Sequence, residues 1–145
     1  MAGLLPTIDV KVIEPHAAAG TTLLTSDAVD MEGYDGVVFI VPIEDSTDTG
    51  VITLTAQHDD NSSFTSATAE SDTATATSAA DDDLNNMVLL LDYVKPTERY
   101  VRCTVTRATA NFATGPIIAV KYKAAKAPVT QAAAEVADSA VVVGT

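Results

Sequence analysis

The chain has 145 residues, a formal net charge of −12 at pH 7 and a hydrophobic fraction of 47%, which comes mainly from Ala and Val. A single domain of this length buries roughly 70% of its unfolded surface, so a full core is expected. The acidity argues against nucleic acid and anionic membranes as partners, because both attract dense basic surfaces, and the single cysteine excludes an internal disulfide.

The first predicted strands lie in the N-terminal part of the chain. Residues 8–13 alternate apolar and charged side chains, which is the period-2 pattern of a half-buried strand. A turn at residues 17–20 leads to a second strand at 21–25, and the acidic residues 26–36, with two glycines, are predicted to form a loop. Residues 37–43 are continuously apolar, VVFIVPI, as expected for a strand buried on both faces.

Three more predicted strands precede the basic part of the chain. Residues 51–58 alternate apolar residues with Thr and Gln, and residues 72–78 alternate Thr with Ala, which is typical of an exposed edge strand. Residues 87–94, MVLLLDYV, form the most apolar strand. Segments rich in Asp, Asn, Ser and Thr separate these strands and predict turns. Since no helical periodicity with a capping signal precedes the C-terminal tail, the domain is expected to be all-β.

Positive charge is concentrated near the C-terminus, because seven of the eight Lys and Arg residues lie between Lys95 and Lys126. Residues 99–107 and 116–123 are predicted to be strands, and the polar loop at 108–115 is predicted to join them as a hairpin. Such a hairpin would carry a cross-strand basic cluster, which is our candidate partner-binding site: Arg99, Arg102, Arg107, Lys121 and Lys123. We interpret the cluster as a surface for acidic groups of a partner or a second copy; ordinary solvated strand residues are the alternative.

Eight strands at spacings of roughly 10–15 residues predict an antiparallel β-sandwich, and their number and long connections favour a jelly-roll-like version. We place this domain at residues 1–124 and an extended C-terminal arm at residues 125–145. The arm ends on Val141, Val142 and Val143, which have no obvious place to be buried except a neighbouring chain. Two helical turns at residues 131–137 are the alternative for the middle of the arm.

The sequence carries no recognisable catalytic, cofactor-binding or metal-binding motif. His58 stands beside two aspartates, but no serine or cysteine nucleophile lies in a recognisable turn. The acidic runs at residues 59–61 and 81–83 offer oxygen atoms to Ca²⁺, but without EF-hand spacing, and we interpret them as solvated turns. Cys103 is predicted to be a buried, inert thiol. We therefore expect a protein that is not an enzyme.

No targeting segment is predicted from the sequence. The first ten residues lack the basic region and the apolar run of a signal peptide. No apolar run approaches the ~18 residues that a transmembrane helix needs. We therefore expect the protein to be made and kept in the cytoplasm of the cell that produces it.

Four short motifs in the C-terminal part of the chain carry a resemblance. They are Lys95-Pro96, Arg99-Tyr100-Val101-Arg102, the segment GPIIAVKY at residues 115–122 and the segment KAPVTQ at residues 126–131. In this order, after an apolar strand, they resemble small structural proteins that are encoded beside the major capsid proteins of tailed bacteriophages and prophages. The resemblance implies a head decoration, or cement, protein.

A protein of this family would have a jelly-roll-like β-domain that binds the outside of an expanded capsid. The partners implied are the major capsid protein and further copies of the chain itself, as a homodimer or homotrimer, with no nucleic acid and no membrane. The location implied is the exterior of the virion, after synthesis in the host cytoplasm. Two alternatives remain open: another virion component, such as a head–tail joining or tail protein, and a carbohydrate-binding β-sandwich, which would need exposed aromatic side chains.

Overall fold

Two antiparallel β-sheets account for most of the chain in a computed structural model, which describes residues 3–141 and residue 144. A 3-10 helix, Leu5–Thr7, precedes the first strand, and no helix among the described residues is long and apolar enough to cross a membrane. The strands are β1 Asp9–Glu14, β2 Ala17–Gly20, β3 Leu24–Thr25, β4 Val29–Asp30, β5 Gly36–Ser46, β6 Val51–Asp59, β7 Thr68–Thr77, β8 Val88–Val94, β9 Tyr100–Ala108, β10 Phe112–Thr114 and β11 Ile117–Tyr122.

The first sheet has the order β1-β11-β5-β10-β2, and β8 pairs with the other edge of β5. The second sheet has the order β3-β9-β6-β7, and β4 pairs with β9 beyond β3. Several short strands are consecutive pieces of longer extended paths: Pro15 separates β1 from β2, Pro116 separates β10 from β11, and residues 26–28 separate β3 from β4, which both pair with β9. Proline interrupts a strand in this way because it has no N–H to donate to a neighbour.

Merging those pieces leaves eight extended paths, which are the eight strands expected from the sequence. Numbered along the chain, they run 1-8-3-6 across the first sheet and 2-7-4-5 across the second. This alternation between the two sheets is the order of an eight-stranded jelly roll. The prediction of an all-β, jelly-roll-like antiparallel β-sandwich is therefore confirmed.

The core fills the space between the two sheets. Alternate residues of each strand point inward, as the period of two requires. The fully buried side chains come mainly from the central strands: Val37, Phe39 and Val41 of β5, Ile52 and Leu54 of β6, Val101, Cys103 and Val105 of β9, and Ile117 of β11. Cys103 is buried, as predicted, and its burial raises the pKa of the thiol to about 12, which keeps it protonated and inert at neutral pH.

Three details of the predicted secondary structure are wrong. The turn at 17–20 is strand β2, the loop at 26–36 contains β4, and the loop at 108–115 contains β10. These strands are two to four residues long, which is too short for a period of two to be recognised. They form because each pairs with an adjacent strand: β4 with β9, β10 with β5, and β2 with β10.

The predicted basic hairpin is also wrong, because β9 and β11 do not pair. β9 lies in the second sheet between β6 and the short strands β3 and β4, whereas β11 lies in the first sheet between β1 and β5. The connection between them crosses from one sheet to the other by way of β10. In a jelly roll these two consecutive strands face each other across the core, so their outward side chains lie on opposite surfaces of the molecule.

The C-terminal arm begins along the N-terminal segment of its own chain. The backbone N–H of Val129 donates to the carbonyl oxygen of Pro6 at 2.6 Å. The Gln131 amide donates to the carbonyls of Leu5 and Ile8 at 3.2 and 2.7 Å, and its oxygen accepts the N–H of Val10 at 3.1 Å. Val10 belongs to β1, the edge strand of the first sheet, so Gln131 satisfies a backbone donor that the sheet leaves free. In place of the alternative helix at 131–137 there is one turn that starts at Ala132.

We expect Gln131→Ala to lower the free energy of unfolding by about 1–2 kcal/mol, because three partly buried hydrogen bonds are lost together. Thr130→Ala, at an exposed neighbouring position, is the matched control and should leave stability within about 0.5 kcal/mol. Urea denaturation of both variants measures the difference. Equal stability of the two variants would show that the arm is not held by its own domain.

Candidate interaction surface

The five basic residues of the predicted cluster are distributed over both sheets and contact different partners. Arg99 lies at the start of the second-sheet strand β9. Its Nε and Nη2 atoms donate to the two carboxylate oxygens of Asp30 at 3.0 and 2.9 Å, and Nη2 lies 2.8 Å from Glu32 Oε2. The hydrogen bond from Arg99 holds the pKa of Asp30 below its ordinary value. Arg99 is therefore neutralised within its own chain.

Arg102 lies on the outer face of the second sheet. Its Nε donates to Gln57 Oε1 at 2.7 Å, and its guanidinium carbon lies 4.3 Å from the centre of the Phe64 ring. A cation stacked on an aromatic ring and bonded to an amide is a stable local arrangement without a carboxylate. Arg102 thus covers the buried Phe64 at the start of the β6–β7 connection.

Arg107 is buried and joins the two sheets. Its Nε donates to the carbonyl of Thr22 at 3.0 Å, and Nη1 donates to the carbonyls of Ala18 and Phe112 at 2.8 and 2.7 Å. Ala18 and Phe112 belong to the first sheet, whereas Arg107 belongs to the second. No carboxylate among the described residues forms an ion pair with it, and burial lowers the pKa of its guanidinium. Its contacts are structural.

Lys121 also joins the sheets, but near the start of β5, where it pairs with Val37, whereas Phe112, which Arg107 contacts, pairs with Ser46 at the end of β5. Its Nζ lies 3.3 Å from Asp9 Oδ2, donates to the carbonyl of Asp30 at 3.0 Å, and lies 4.4 Å from the centre of the Tyr34 ring. Lys123, two residues later, is exposed. The predicted cross-strand basic cluster is therefore wrong: β9 and β11 are not neighbours, and four of its five side chains bind groups of their own chain.

The three valines proposed for the end of the arm are only partly described. Val141 is 49% exposed, and its side chain lies near Gly3. Val142 and Val143 lie outside the described residues. Their predicted docking on a neighbouring chain stays a prediction.

The histidine and the acidic runs are used to shape loops. His58 Nε2 lies 3.3 Å from Glu70 Oε1, which also accepts the Tyr93 hydroxyl at 2.6 Å, so His58 faces Glu70 and not the aspartates beside it. The buried carboxylate of Asp59 accepts the backbone N–H groups of Asn61 and Ser66 at 3.0 and 2.7 Å. Among the described residues, no group of three or more His, Cys, Asp or Glu side chains is arranged to hold a metal ion.

A different surface stands out once the strand register is known. The outer face of the first sheet is aliphatic across all four of its strand paths, and we call it the aliphatic face: Val10, Val12, Val38, Ile40, Pro42, Val88, Leu90, Ile118 and Val120. One row of directly paired residues crosses the whole sheet, in the order Val12, Ile118, Ile40 and Leu90. These residues point away from the core because Val37, Phe39 and Val41, which alternate with them in β5, point into it.

The aliphatic face is open to solvent. Leu90 is 57% exposed, Val88 51% and Val12 44%, whereas the residues on the central strands are half-buried by their neighbours. Four strands about 4.8 Å apart, with alternate residues about 6.8 Å apart, give the face an area of about 300 Å². A contiguous apolar patch of this size is at the scale of the largest patches on monomeric proteins, which often mark sites of interaction.

The outer face of the second sheet has a different character. It carries paired threonines, with Thr53 opposite Thr75 and Thr106, and Thr55 opposite Thr73. The hydroxyl of Thr75 donates to that of Thr53 at 3.2 Å. Threonine suits a strand because it is β-branched, while its hydroxyl keeps the surface hydrated. Only the first sheet therefore presents an apolar exterior.

The aliphatic face is bordered by charged groups at both ends of its strands, and Asp35 and Asp92 lie at the same end as the two lysines. Lys95 and Lys123 follow Val94 and Tyr122 directly, so they lie at the end of the sheet where β5 begins. At the opposite end, a Cβ atom built on Gly115 would be 3.3 Å from Glu44 Oε1 and 3.2 Å from Pro42, which places the Glu44 carboxylate beside the face. Its other oxygen lies 3.0 Å from His16 Nδ1.

The sequence signal for this surface is the continuous apolar run at residues 37–43. Residues 37–43 were expected to be buried on both faces because they are continuously apolar. The structure buries Val37, Phe39 and Val41 but leaves Val38 and Ile40 half-exposed. The expectation is wrong for the second face, since no part of the described chain covers it.

Comparison with known proteins adds no identification. No model of a protein family matches the chain. No curated protein matches its sequence.

We expect Arg107→Lys to cost about 2–4 kcal/mol of folding free energy, because an ammonium group cannot reproduce the guanidinium fork and leaves buried carbonyls without a donor. Arg102→Lys, in the same strand but on the outer face, should cost about 1 kcal/mol or less. Chemical denaturation of both variants makes the comparison. Equal losses would contradict the assignment of Arg107 as the buried cross-link.

We expect Asp59 to make stability fall in acid. The N–H donors of Ser66 and Asn61 lower the pKa of Asp59 below its ordinary value, with Ser66 the largest cause. A carboxyl group with a lowered folded pKa stabilises the protein above its unfolded pKa, near ~3.9, and loses that contribution as the pH falls through the folded pKa.

Urea denaturation at pH 6 and at a series of lower pH values measures how the free energy of unfolding depends on pH. Asp59→Asn should be less stable at neutral pH and should show a flatter acid dependence than the natural chain. Asp72→Asn, at an exposed position of β7, is the control and should retain the full slope. An unchanged slope in Asp59→Asn would assign the acid sensitivity to other carboxyl groups.

Proposed function

We propose that the chain is a structural virion protein that binds the outer surface of a tailed-bacteriophage capsid and stabilises it as a decoration protein. The observation that carries this proposal is the aliphatic face, an uncovered apolar sheet surface on an otherwise strongly acidic molecule. The resemblance of residues 95–131 to small phage structural proteins indicates that the assembly is a phage capsid. The proposed partners are the major capsid protein and further copies of the chain.

A structural role fits the way in which the polar side chains are used. Asp59 caps a loop, Arg107 binds three backbone carbonyls, and Cys103 is buried with a raised pKa. These side chains are buried or form hydrogen bonds within the fold. The surface best suited to a protein partner, either the capsid or a second copy of the chain, is the aliphatic face with its charged border.

The character of that surface favours a lasting contact with protein. The centre of a permanent protein interface is more apolar than ordinary surface and is depleted in charged residues, and the aliphatic face has this composition. The strong net negative charge keeps such a protein soluble until it meets its partner. Nucleic acid does not fit, because the net charge is −12 and four of the eight basic side chains are engaged within the chain.

The two alternatives differ in what they require. A head–tail joining or tail protein would use the same kind of surface and differs in its position in the particle. A carbohydrate-binding sandwich stacks sugars on exposed aromatic rings, whereas all seven aromatic side chains of this chain are buried or half-buried. No observation favours the carbohydrate alternative.

The proposal predicts that capsids form without this protein but are weaker. Particles from a deletion strain should assemble in normal yield. They should release their DNA at a lower temperature than natural particles, or after a milder salt shock. Purified protein added back should bind the particles and restore the heat resistance, whereas an unrelated protein of similar acidity should not. Light scattering and dye access to DNA during heating measure both.

Three results would contradict the proposal. A failure of capsids to assemble without the protein would indicate an essential shell component. Intact, heat-resistant heads that lack tails would indicate a joining protein. Added protein that leaves expanded capsids unbound would remove the proposed partner.

A further inference from the structure

We infer that the aliphatic face is the contact between two copies of this chain, which pack face to face about a two-fold axis lying between the two faces and perpendicular to their strands. The inference concerns the free protein in solution. It specifies the contact with further copies that the proposed function includes, and it does not depend on a capsid.

The first argument is the shape and composition of the face. A nearly flat aliphatic sheet surface is complementary to a copy of itself, and the interior of this chain already shows two apolar sheet faces packed on each other. A two-fold contact uses the same patch on both copies, so one face is sufficient to build it. One charged residue, Asp92, lies among the paired residues of the aliphatic face, opposite Val38. Its carboxylate accepts a hydrogen bond from the Tyr122 hydroxyl at 2.6 Å.

The second argument is the size of the face. A stable interface of standard size buries about 800 Å² on each partner, with an apolar centre and a polar rim. The aliphatic face supplies a centre of about 300 Å². The groups around it, including Lys95, Lys123 and Glu44, lie where the rim would be.

The third argument is the arrangement of charge, which selects the direction of the axis. An axis parallel to the strands would place the lysine end of one copy against the lysine end of the other, and Glu44 against Glu44. An axis perpendicular to the strands reverses one copy, so that Lys123 and Lys95 of each copy meet the Glu44 end of the other. The second arrangement brings the lysines to Glu44 and avoids the contact of Glu44 with Glu44, so charge favours it over the first.

Sedimentation or light scattering of the purified protein, without capsids and across a concentration series at fixed ionic strength, tests the contact. The natural chain should be a dimer. Leu90→Lys should raise the dissociation constant at least about 100-fold, because it places a charge within the apolar part of the interface. Thr75→Lys, at an exposed position of the edge strand β7 on the opposite face, is the matched control and should leave the constant unchanged. Since both side chains are exposed, an unchanged circular dichroism spectrum confirms that both variants fold, and melting is compared at concentrations at which every variant is monomeric.

A charge exchange tests the direction of the axis. Lys123→Glu and Glu44→Lys should each raise the dissociation constant by about tenfold, and the double variant should return to within about threefold of the natural chain. Two single losses that add without recovery would overturn the perpendicular axis, because the two residues would then not face each other.

Four other outcomes decide the inference and separate it from the proposed function. A monomer at concentrations up to about 0.1 mM, which corresponds to weaker binding than stable interfaces give, overturns the self-contact. A dimer that Leu90→Lys leaves intact also overturns it. A monomer whose capsid binding is abolished by Leu90→Lys assigns the face to the shell, which supports the proposed function and overturns the inference. A dimer that dissociates in Leu90→Lys but does not bind capsids supports the inference while the proposed function fails.

Discussion

The central constraint on this structure is that the strands of the first sheet are apolar on both faces, while the chain provides one second sheet to cover them. β5 shows this most clearly, since Val37, Phe39 and Val41 are fully buried and Val38 and Ile40 remain half-exposed on the other side. Burial of the inner face drives folding, at roughly 25 cal/mol for each Å² of apolar surface removed from water. The same residue types on the outer face remain in contact with water, so covering them would release free energy of the same kind. Folding and association thus have a common physical origin in this sheet.

Two cations add polar links to the apolar packing between the sheets on the side formed by β1 to β4, with Arg107 beside β2 and Lys121 beside β1 and β4. Arg107 reaches from the second sheet to carbonyls of the first, and Lys121 reaches from the first sheet to Asp30 of the second. A buried cation is tolerated only where its donors are satisfied, and here backbone carbonyls and the Asp9 carboxylate satisfy them. The basic residues near the C-terminus therefore contribute to closing the sandwich. This use explains why their concentration in the sequence does not produce a basic surface.

The sequence was sufficient for the fold class and insufficient for the pairing of strands. Alternation at residues 51–58 and 99–107 gave β6 and β9 to within one or two residues, because each of these strands has one buried and one exposed face. A period of two shows which residues share a face but not which strand is the neighbour. The sequence pattern therefore predicts that β9 and β11 pair as a hairpin. In the structure, β10, which is three residues long, carries the chain to the other sheet. The continuous apolar run at 37–43 did mark the candidate surface, but composition alone could not show whether this chain or another molecule covers it.

The two outer faces show how one topology can direct association to a single side. Cross-strand threonines on the second sheet satisfy the preference of strands for β-branched residues while they keep hydroxyl groups in water. The first sheet uses valine, isoleucine and leucine at the corresponding positions, so water is released only when that face is covered. Because a two-fold contact between aliphatic faces consumes the face on both copies, it closes the assembly at two and leaves no apolar surface from which a filament could grow. In the proposed pair, the threonine faces, the acidic loops and the outer part of the arm form the exterior, and a larger structure that recognises the pair contacts this exterior.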